Sequence, residues 1–237
     1  MRSAVRHLAL PTQILRVLGA LIGKKLGGTS CIAVCSTFWR LLAAIAKPDV
    51  RAWDERVGLA GDSALPGRLP HVETAWRHLQ MEQAALRGKM VIHILWDVAE
   101  YFDSISIPTL IRRCEELDFP IDQLVLAMQY HRAPRVLQSG GCCAEPITAT
   151  GVSILAGCTF STSLSRGFLH SATAHRSTHT HTHTHTHVLA TATTNQHVDD
   201  VSQLIISDTA ATAVQLAVRT GLSMSTGFML SGLTVAV

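Results

Sequence analysis

The stretch "TTNQHVDDVSQLIIS" (residues 193–207) places two aspartates, Asp199 and Asp200, side by side between two segments of β-like composition. The threonine, valine and isoleucine residues on both sides predict two strands that are joined by a turn at the aspartates. Adjacent carboxylates repel each other, and each takes up a proton more readily unless the charge is compensated. The pair is therefore either a solvated surface turn or one part of a cation site.

A third aspartate follows the apolar run of "MVIHILWDVAEYFDSI" (residues 90–105). The run has the continuous hydrophobicity of a buried strand, and Asp97 stands where that strand is predicted to end. If this strand and the hairpin are neighbours, the carboxylates of Asp97 and Asp199 converge at one sheet edge. A few carboxylates combined with phosphate oxygens are what Mg²⁺ prefers, and two such ions about 4 Å apart support phosphoryl transfer.

The remaining segments predict a mixture of helices and strands. The basic and apolar segment 1–26 is expected to be helical, and 31–46 is expected to begin as a strand and continue as a helix that ends near Pro48. A loop over 58–71 precedes a helix over 72–89. Further along, the patterns predict two helices over 104–119 and 120–134, a hairpin over 135–150, a glycine loop and helix over 151–174, and core strands rather than a membrane span over 220–237.

The composition is that of a globular protein with a sizeable core. Hydrophobic residues make up 47% of the 237 residues and charged residues 16%, which argues against wholesale disorder. The net charge of +3 is compatible with a nucleic-acid partner. The six cysteines contain no CxxC pair, so reduced intracellular thiols are expected, with a nuclear or cytoplasmic location, rather than a disulfide framework or a zinc site.

Five Thr-His repeats occupy residues 178–187. Alternating CAC and ACA codons encode such a tract, as in a dinucleotide repeat expansion that has inserted into a fold. On a strand, every histidine would lie on one face and could bind Zn²⁺, Ni²⁺ or Cu²⁺ weakly. Both interpretations stay open at the level of the sequence.

Several motifs in this order resemble the palm of reverse transcriptases, above all those of non-LTR, LINE-like retrotransposons. The segment "WDVAEYFDSI" resembles the first palm motif, "GVSILAGCTFSTSL" the second and "HVDD" the third, while "GLSMSTGF" resembles the start of the fourth and "GGTSCIAVCSTFWRLLAAI" a fingers segment. The resemblance implies an α+β fold with an antiparallel palm sheet backed by helices and with the thumb missing. It divides the chain into an N-terminal segment (1–26), a fingers-like region (27–90) and a palm-like region (91–237).

The resemblance also implies an RNA-directed DNA polymerase that uses Mg²⁺ or Mn²⁺ to add dNTPs to a DNA primer on an RNA template. Asp97 and Asp199 would be metal ligands, Asp200 a third carboxylate at the site, and Val98 a ligand through its backbone carbonyl. Phe102 would stand beneath the incoming sugar and exclude a 2′-hydroxyl. No membrane partner is implied.

Two further pairs of residues belong to the implied site. Ala156 and Gly157 would contact the nucleotide, because a glycine lets a ligand approach the backbone closely. Arg132 and Arg135, in "HRAPR", would touch the template backbone.

The chain also departs from the family pattern. His197 stands in place of the usual tyrosine, Ala156 in place of a glutamine, and Ser30–Cys31 in place of a basic residue and a proline. These departures favour an alternative, a catalytically inactive retroelement remnant that at most binds nucleic acid. A third possibility is a metal-buffering role for the Thr-His repeat.

Overall fold

The computed structural model of the chain describes residues 2–24, 27–174, 181–182 and 189–235. Eight helices occur in this part of the chain, together with a 3₁₀ turn at Thr12–Ile14: α1 (Arg2–His7), α2 (Thr37–Val57), α3 (Pro70–Leu86), α4 (Tyr101–Ser104), α5 (Ile107–Glu116), α6 (Ile121–His131), α7 (Ser161–Ala174) and α8 (Ala210–Leu230). The described strands are β1 (Val17–Gly23), β2 (Thr29–Val34), β3 (Met90–Trp96), β4 (Arg135–Ser139), β5 (Cys142–Cys143), β6 (His181–Thr182), β7 (Leu189–His197) and β8 (Asp200–Ser207).

The chain forms two compact units. The first unit comprises Met1–Arg56 and Glu100–Phe168, and the second comprises Val57–Ala99 and Leu169–Val237. Each contains one four-stranded sheet, of order β2-β1-β4-β5 in the first and β3-β8-β7-β6 in the second. The elements are helices and mixed or antiparallel sheets, so the α+β class predicted from the sequence is confirmed. The division at residues 26 and 90, into fingers-like and palm-like regions, stays a prediction.

The sheet of the second unit is antiparallel throughout its described strands. Helix α8 covers one face, where Ile92 and Ile94 pack against a buried cluster that includes Ile205, Leu216 and Ala217. Helix α3 lies on the opposite face, and the Arg77 guanidinium donates a hydrogen bond to Ser202 Oγ over 2.7 Å. The strand predicted before Asp97 and the hairpin predicted around Asp199 are therefore neighbours.

Helix α8 corrects the expectation of strands over 220–237. Thr209 caps the helix by accepting a hydrogen bond from the backbone N–H of Thr212 at 3.2 Å. Its buried residues recur every three or four positions, which is helical periodicity: Ala213, Leu216, Ala217, Thr220, Met224 and Phe228. The Gly, Ser and Thr content that suggested strands was outweighed by this spacing of apolar residues.

The first unit has a mixed sheet and an aromatic core. Strand β1 pairs antiparallel with β2 and parallel with β4. Trp39 of α2 stacks on Tyr130 of α6 with ring centroids 4.5 Å apart, and Trp53 meets the edge of Phe119 at 4.8 Å. These contacts carry α2 past Pro48 to Val57, because burial of Trp53 outweighs the helix-breaking tendency of the proline.

The N-terminal segment is also different from the prediction of a helix over 1–26. Only Arg2–His7 is an α-helix, and Val17–Gly23 is a strand of the sheet. The run "VLGALIG" carries too few polar residues to form an amphipathic helix, and it is hydrogen-bonded to strands on both sides.

Of the Thr-His repeat, only His181 and Thr182 belong to the described residues, where they form β6 at the edge of the sheet. The other residues of the repeat lie outside the described part, and so does the prediction that the repeat binds metal. Among the described helices, none combines the length and the apolar character that crossing a membrane requires.

Candidate active site

The register of the second sheet places the three predicted aspartates at one end of it. Strand β3 pairs with β8 from Met90 opposite Ser207 to Trp96 opposite Val201, and Asp97 follows directly. Asp200 begins β8 and pairs with His197, the last residue of β7. Asp199 lies in the two-residue turn between them. Two strands that are distant in sequence thus bring their acidic ends to the same edge.

The turn that carries Asp199 has an unusual backbone. Val198 adopts a φ of +57°, which is rare for a β-branched residue and requires support from its surroundings. Gln196 supplies part of that support, since its side-chain amide donates to the Val198 carbonyl over 3.0 Å. Strained residues of this kind cluster at functional sites.

A loop of the same unit fixes the hairpin from its edge. The Gln196 N–H donates to the Gly61 carbonyl, and the Ser63 N–H donates to the Gln196 carbonyl, each over 2.9 Å. Ser63 Oγ also lies 3.2 Å from His197 Nδ1. Residue 61 must be glycine for this approach, because a Cβ there would collide with the Thr194 carbonyl and lie 3.0 Å from Asn195 Cα. The loop therefore orients His197, which stands at the position where the motif it resembles in reverse transcriptases usually has tyrosine.

The electrostatics at this edge favour protonation of Asp199. Burial raises the pKa of the Asp199 carboxyl above its ordinary value, and the nearby charges of Asp200 and Asp97 raise it further. A hydrogen bond from its own backbone and the proximity of His197 act in the opposite direction. The Asp199 carboxylate is thus close enough to those of Asp97 and Asp200 to be repelled by both.

A cavity of about 630 Å³ within the second unit opens beside these carboxylates. It lies on the face of the sheet away from α8, with α3 on its other side. Asp97, His197 and Asp200 line one part of it, while Arg77, His78 and His93 line another. One cavity therefore has both an acidic and a basic part.

The basic part of the cavity has little compensation by acidic groups. Burial lowers the pKa of His93, and the positive charges of Arg77 and His78 lower it further. Glu73 is the acidic group that acts on Arg77. Arg77 Nε and His93 Nε2 are buried and find no hydrogen-bond partner among the described residues. This arrangement suits an anion, since a phosphate would supply both the missing charge and the missing acceptors.

The donor set at the acidic edge suits a hard divalent cation. Asp97, Asp199 and Asp200 offer carboxylate oxygens, which are ligands that Mg²⁺ and Mn²⁺ accept. The like-charge repulsion that raises the pKa of Asp199 would be relieved by such an ion. Within the described ranges, no group of three or more His, Cys, Asp or Glu side chains is already gathered as a metal site. The residues therefore fit the ion in their chemistry, and they share one edge of the sheet without forming a ready-made ligand set.

Backbone contacts hold Val98 and the residue after it in place. It is buried and forms an antiparallel bridge with Val235, and the next residue, Ala99, donates its N–H to the Thr234 carbonyl over 2.9 Å. The segment that follows Asp97 is thereby anchored within the second unit. Its role as a backbone ligand stays a prediction.

The other predicted nucleotide contacts lie in the first unit. Phe102 is half-buried in α4, and its carbonyl accepts a hydrogen bond from the Ile154 N–H over 2.9 Å. Ala156 accepts from the Ala33 N–H over 2.7 Å. Gly157 has a φ of +94°, and a Cβ there would lie 3.0 Å from the Ala33 carbonyl oxygen. The glycine is thus required by the approach of β2, whether or not a nucleotide binds beside it.

The two predicted template contacts differ in exposure. Arg132 is exposed, whereas Arg135 is buried and its guanidinium donates to Ser153 Oγ over 2.6 Å and to the His131 carbonyl over 3.1 Å. Ser153 in turn donates to Asp103, the second aspartate of "WDVAEYFD", over 2.7 Å. Arg135 is therefore committed to contacts inside its unit, and Arg132 is the member of the pair that solvent can reach.

Sequence reasoning missed Gly61, Ser63, Arg77 and His93. Gly61 and Ser63 lie in a segment whose sequence pattern predicts only a loop. Arg77 and His93 appear as single charges on a helix and on an apolar strand, and no motif marks them. The alternation of the strand does place His93 on the same face as Asp97, which was the one available signal.

The comparisons with known proteins support the fold. No family model matches the chain, and no protein with a curated description matches it. The structure is similar to apo telomerase from Candida tropicalis truncated from its C-terminal domain, with 12% identity and a TM-score of 0.57 over 96% of this chain and 49% of that one. It is also similar to apo telomerase from the same organism (11%, TM-score 0.55, 89% and 41%) and to that telomerase with a TWJ fragment of telomeric RNA (12%, 0.60, 95% and 40%).

The chain thus spans less than half of the length of the telomerase chains it resembles. Telomerase is related to reverse transcriptases, so the similarity shows a reverse-transcriptase-like fold. At this level of identity it shows the fold alone.

Proposed function

We propose that this chain is the polymerase domain of an RNA-directed DNA polymerase of the LINE-like kind. The observation that carries the proposal is the placement of Asp97, Asp199 and Asp200 at one edge of the β3-β8-β7 sheet, where the other two repel Asp199 and a cavity lies beside them. The reaction is attack of a primer 3′-hydroxyl on a dNTP with release of pyrophosphate. An RNA template, a DNA primer and dNTPs are the partners, in the nucleus or the cytoplasm.

Asp97 and Asp199 are the residues that would hold Mg²⁺ or Mn²⁺, together with the Val98 carbonyl and with Asp200 as a third carboxylate. When bound, the ions stabilise the attacking and the leaving oxygens of the transfer. The protein contributes position and charge: the hairpin and the loop at Gly61 hold the carboxylates at a fixed edge.

The basic part of the cavity gives the nucleic acid a place to bind. Arg77 is held by its hydrogen bond to Ser202, and its guanidinium supplies positive charge to this part of the cavity. This charge can neutralise strand phosphates near the carboxylates. Phe102 is proposed to select deoxyribose, and Ala156 and Gly157 to border the nucleotide.

A second candidate function is nucleic-acid binding without catalysis. The methyl group of Ala156 cannot make the polar contact of the glutamine that the family carries there, and His197 lacks the tyrosine hydroxyl. Such a remnant would retain the cavity and lose the chemistry.

Primer extension separates these candidates. The purified chain is incubated with an RNA template, a DNA primer, dNTPs and Mg²⁺ or Mn²⁺, beside Asp199→Asn and the control Asp208→Asn. Asp208 lies just beyond the opposite end of β8, where it pairs with Lys89 at 3.0 Å. Extension by the parent and by Asp208→Asn, and none by Asp199→Asn, is the expected result. Binding of the primer–template without extension supports the remnant, and neither binding nor extension contradicts both.

A further inference from the structure

The junction of β2 and α2 meets the loop that contains Gly157, and both lie in the first unit. The Ala33 N–H donates to the Ala156 carbonyl over 2.7 Å, which aligns the two backbones. Cys35, just beyond the end of β2, has its sulfur 4.0 Å from the Gly157 carbonyl oxygen. Cys158 follows Gly157 directly. The fold therefore brings together two cysteines that are far apart in the sequence.

The two cysteine side chains lie close enough for each to act on the ionisation of the other. Cys158 is buried, and its sulfur also accepts a hydrogen bond from the Trp39 indole N–H over 3.2 Å. Cys35 is only half-buried, so small solutes can reach its sulfur. Trp39 is held in turn by its stacking on Tyr130. The pair consists of one accessible sulfur and one fixed sulfur beneath it.

The surroundings shift the pKa values of the two cysteines in opposite directions. The hydrogen bond from Cys158, a further one from Tyr130 and the charge of Arg40 lower the pKa of Cys35 to about 7, against the opposing effect of burial. The interaction with Cys35 and burial raise the pKa of Cys158 well above its ordinary value. Burial and the interactions with Cys35 raise the pKa of Tyr130 to about 12, so the Tyr130 hydroxyl keeps its proton and can donate a hydrogen bond. Near neutral pH a substantial fraction of the molecules thus has a Cys35 thiolate beside a Cys158 thiol.

We propose that Cys35 and Cys158 form a redox modification site, in which a hydroperoxide oxidises Cys35 and Cys158 then resolves it to a disulfide. The site adjoins Ala156 and Gly157, which are proposed to border the nucleotide, but the redox proposal does not depend on polymerase activity. A low-pKa, accessible thiolate next to a resolving cysteine is the arrangement that favours this reaction.

The atoms and electrons balance in two steps. The Cys35 thiolate attacks one oxygen of hydrogen peroxide, the O–O bond breaks, and uptake of one proton gives the sulfenic acid and one water. The Cys158 thiol then loses its proton, its sulfur attacks the sulfenic sulfur, and the S–O bond breaks to release a second water. The two thiols give up two electrons in total, and the peroxide takes them up. A dithiol reverses the bond by exchange.

The bond would join the β2–α2 junction to the Gly157 loop covalently. That loop already depends on close contact with β2, since a Cβ at residue 157 would lie 3.1 Å from the Ile32 side chain and 3.0 Å from the Ala33 carbonyl. Oxidation would therefore hold the loop in the position that the structure shows, rather than displace it.

The experiment treats the purified chain with equimolar hydrogen peroxide at pH 7 and maps disulfides by mass spectrometry after acid quenching. Cys35→Ser and Cys158→Ser are compared with Cys31→Ser, which changes the other half-buried cysteine of the same strand region. The expected product is a linked Cys35–Cys158 peptide pair that dithiothreitol reverses. It should form in Cys31→Ser, and in Cys158→Ser the sulfenic acid of Cys35 should instead be trapped by dimedone.

The rate of alkylation by iodoacetamide provides a second measurement. At pH 7 Cys35 should react about five- to tenfold faster than Cys31, because a larger fraction of it is thiolate. Two results would overturn the proposal. One is equal alkylation of Cys35 and Cys31. The other is oxidation confined to the exposed vicinal cysteines, Cys142 and Cys143, with Cys35 and Cys158 still free.

Discussion

Asp54 in the first unit and Asp199 in the second unit have opposite electrostatic surroundings. Asp54, in the first unit, is buried, and its carboxylate is ion-paired with Arg166 and accepts a hydrogen bond from Ser163 Oγ over 2.9 Å. Asp199, in the second unit, is half-buried among carboxylates, and the favourable contacts that act on it are its own backbone and His197. The negative charge of Asp54 is compensated by an ion pair within the fold, whereas Asp199 lies among other carboxylates.

This difference separates a carboxylate that stabilises the fold from a carboxylate that is available to bind a ligand. A buried charge that stabilises a structure is paired and hydrogen-bonded, as Asp54 is. A cluster of like charges beside a cavity destabilises the folded state, and a bound cation would relieve the repulsion. Four substitutions can break or sharpen this comparison.

The largest effect is expected for Asp54→Asn. Loss of the carboxylate leaves the buried Arg166 guanidinium without its counter-charge, and breaking a buried pair in this way costs about 3–5 kcal/mol. Urea unfolding followed by circular dichroism measures the loss. Glu55→Gln is the control on the same helix, since its ion pair with Arg51 is exposed and should contribute less than about 1 kcal/mol. Equal losses of unfolding free energy in the two variants would mean that the buried ion pair of Asp54 stabilises the fold no more than the exposed one of Glu55.

Gly61→Ala comes next, because it tests what positions the uncompensated carboxylates. The added Cβ would force the loop away from Thr194 and Asn195, at an expected cost of about 1–3 kcal/mol. Gly151→Ala is the control, since a Cβ there meets nothing within 4 Å. Thermal unfolding checks the stability. Unchanged stability of Gly61→Ala would show that the loop does not hold the hairpin.

Arg77→Gln tests the basic part of the cavity. Loss of one phosphate contact should weaken binding of a primer–template by about fivefold, close to 1 kcal/mol, and reduce the salt dependence by about one counterion. Fluorescence anisotropy at several salt concentrations measures both quantities. Arg87→Gln, an exposed arginine at the end of the same helix, should change neither. Equal weakening by both variants would mean that charge alone, and not the cavity, governs binding.

The smallest effect concerns the stability of Asp199→Asn. Because the folded pKa of Asp199 is raised, its proton stabilises the fold at low pH, and that contribution is lost as the pH rises through the raised pKa. Without added metal, Asn should therefore raise the melting temperature at pH 7.5 by about 1–2 °C, allowing for solvent screening, and change it little at pH 3.5. A lower melting temperature at pH 7.5 would mean that the Asp199 charge stabilises the fold.

The sequence predicted the parts of the fold where one signal dominates. The apolar run before Asp97 and the β-branched segments around Asp199 became adjacent strands, because alternation and continuous hydrophobicity are local properties. Val17–Gly23 was wrongly predicted as helix and 220–230 wrongly predicted as strand, since short apolar runs take their structure from the neighbours that cover them. The partners of His197, Arg77 and Cys35 come from distant loops and helices, and no local pattern encodes those contacts.

The most direct test of the central claim is a calorimetric titration of the chain with Mn²⁺ at pH 7.5. Asp199→Asn and Asp208→Asn are titrated in parallel, and the Thr-His tract is deleted in all three proteins to remove its histidines. If the uncompensated carboxylates are a cation site, the parent and Asp208→Asn bind Mn²⁺ alike, and Asp199→Asn binds at least about tenfold more weakly, a difference of about 1.4 kcal/mol. Equal Mn²⁺ affinity in all three proteins would contradict the account.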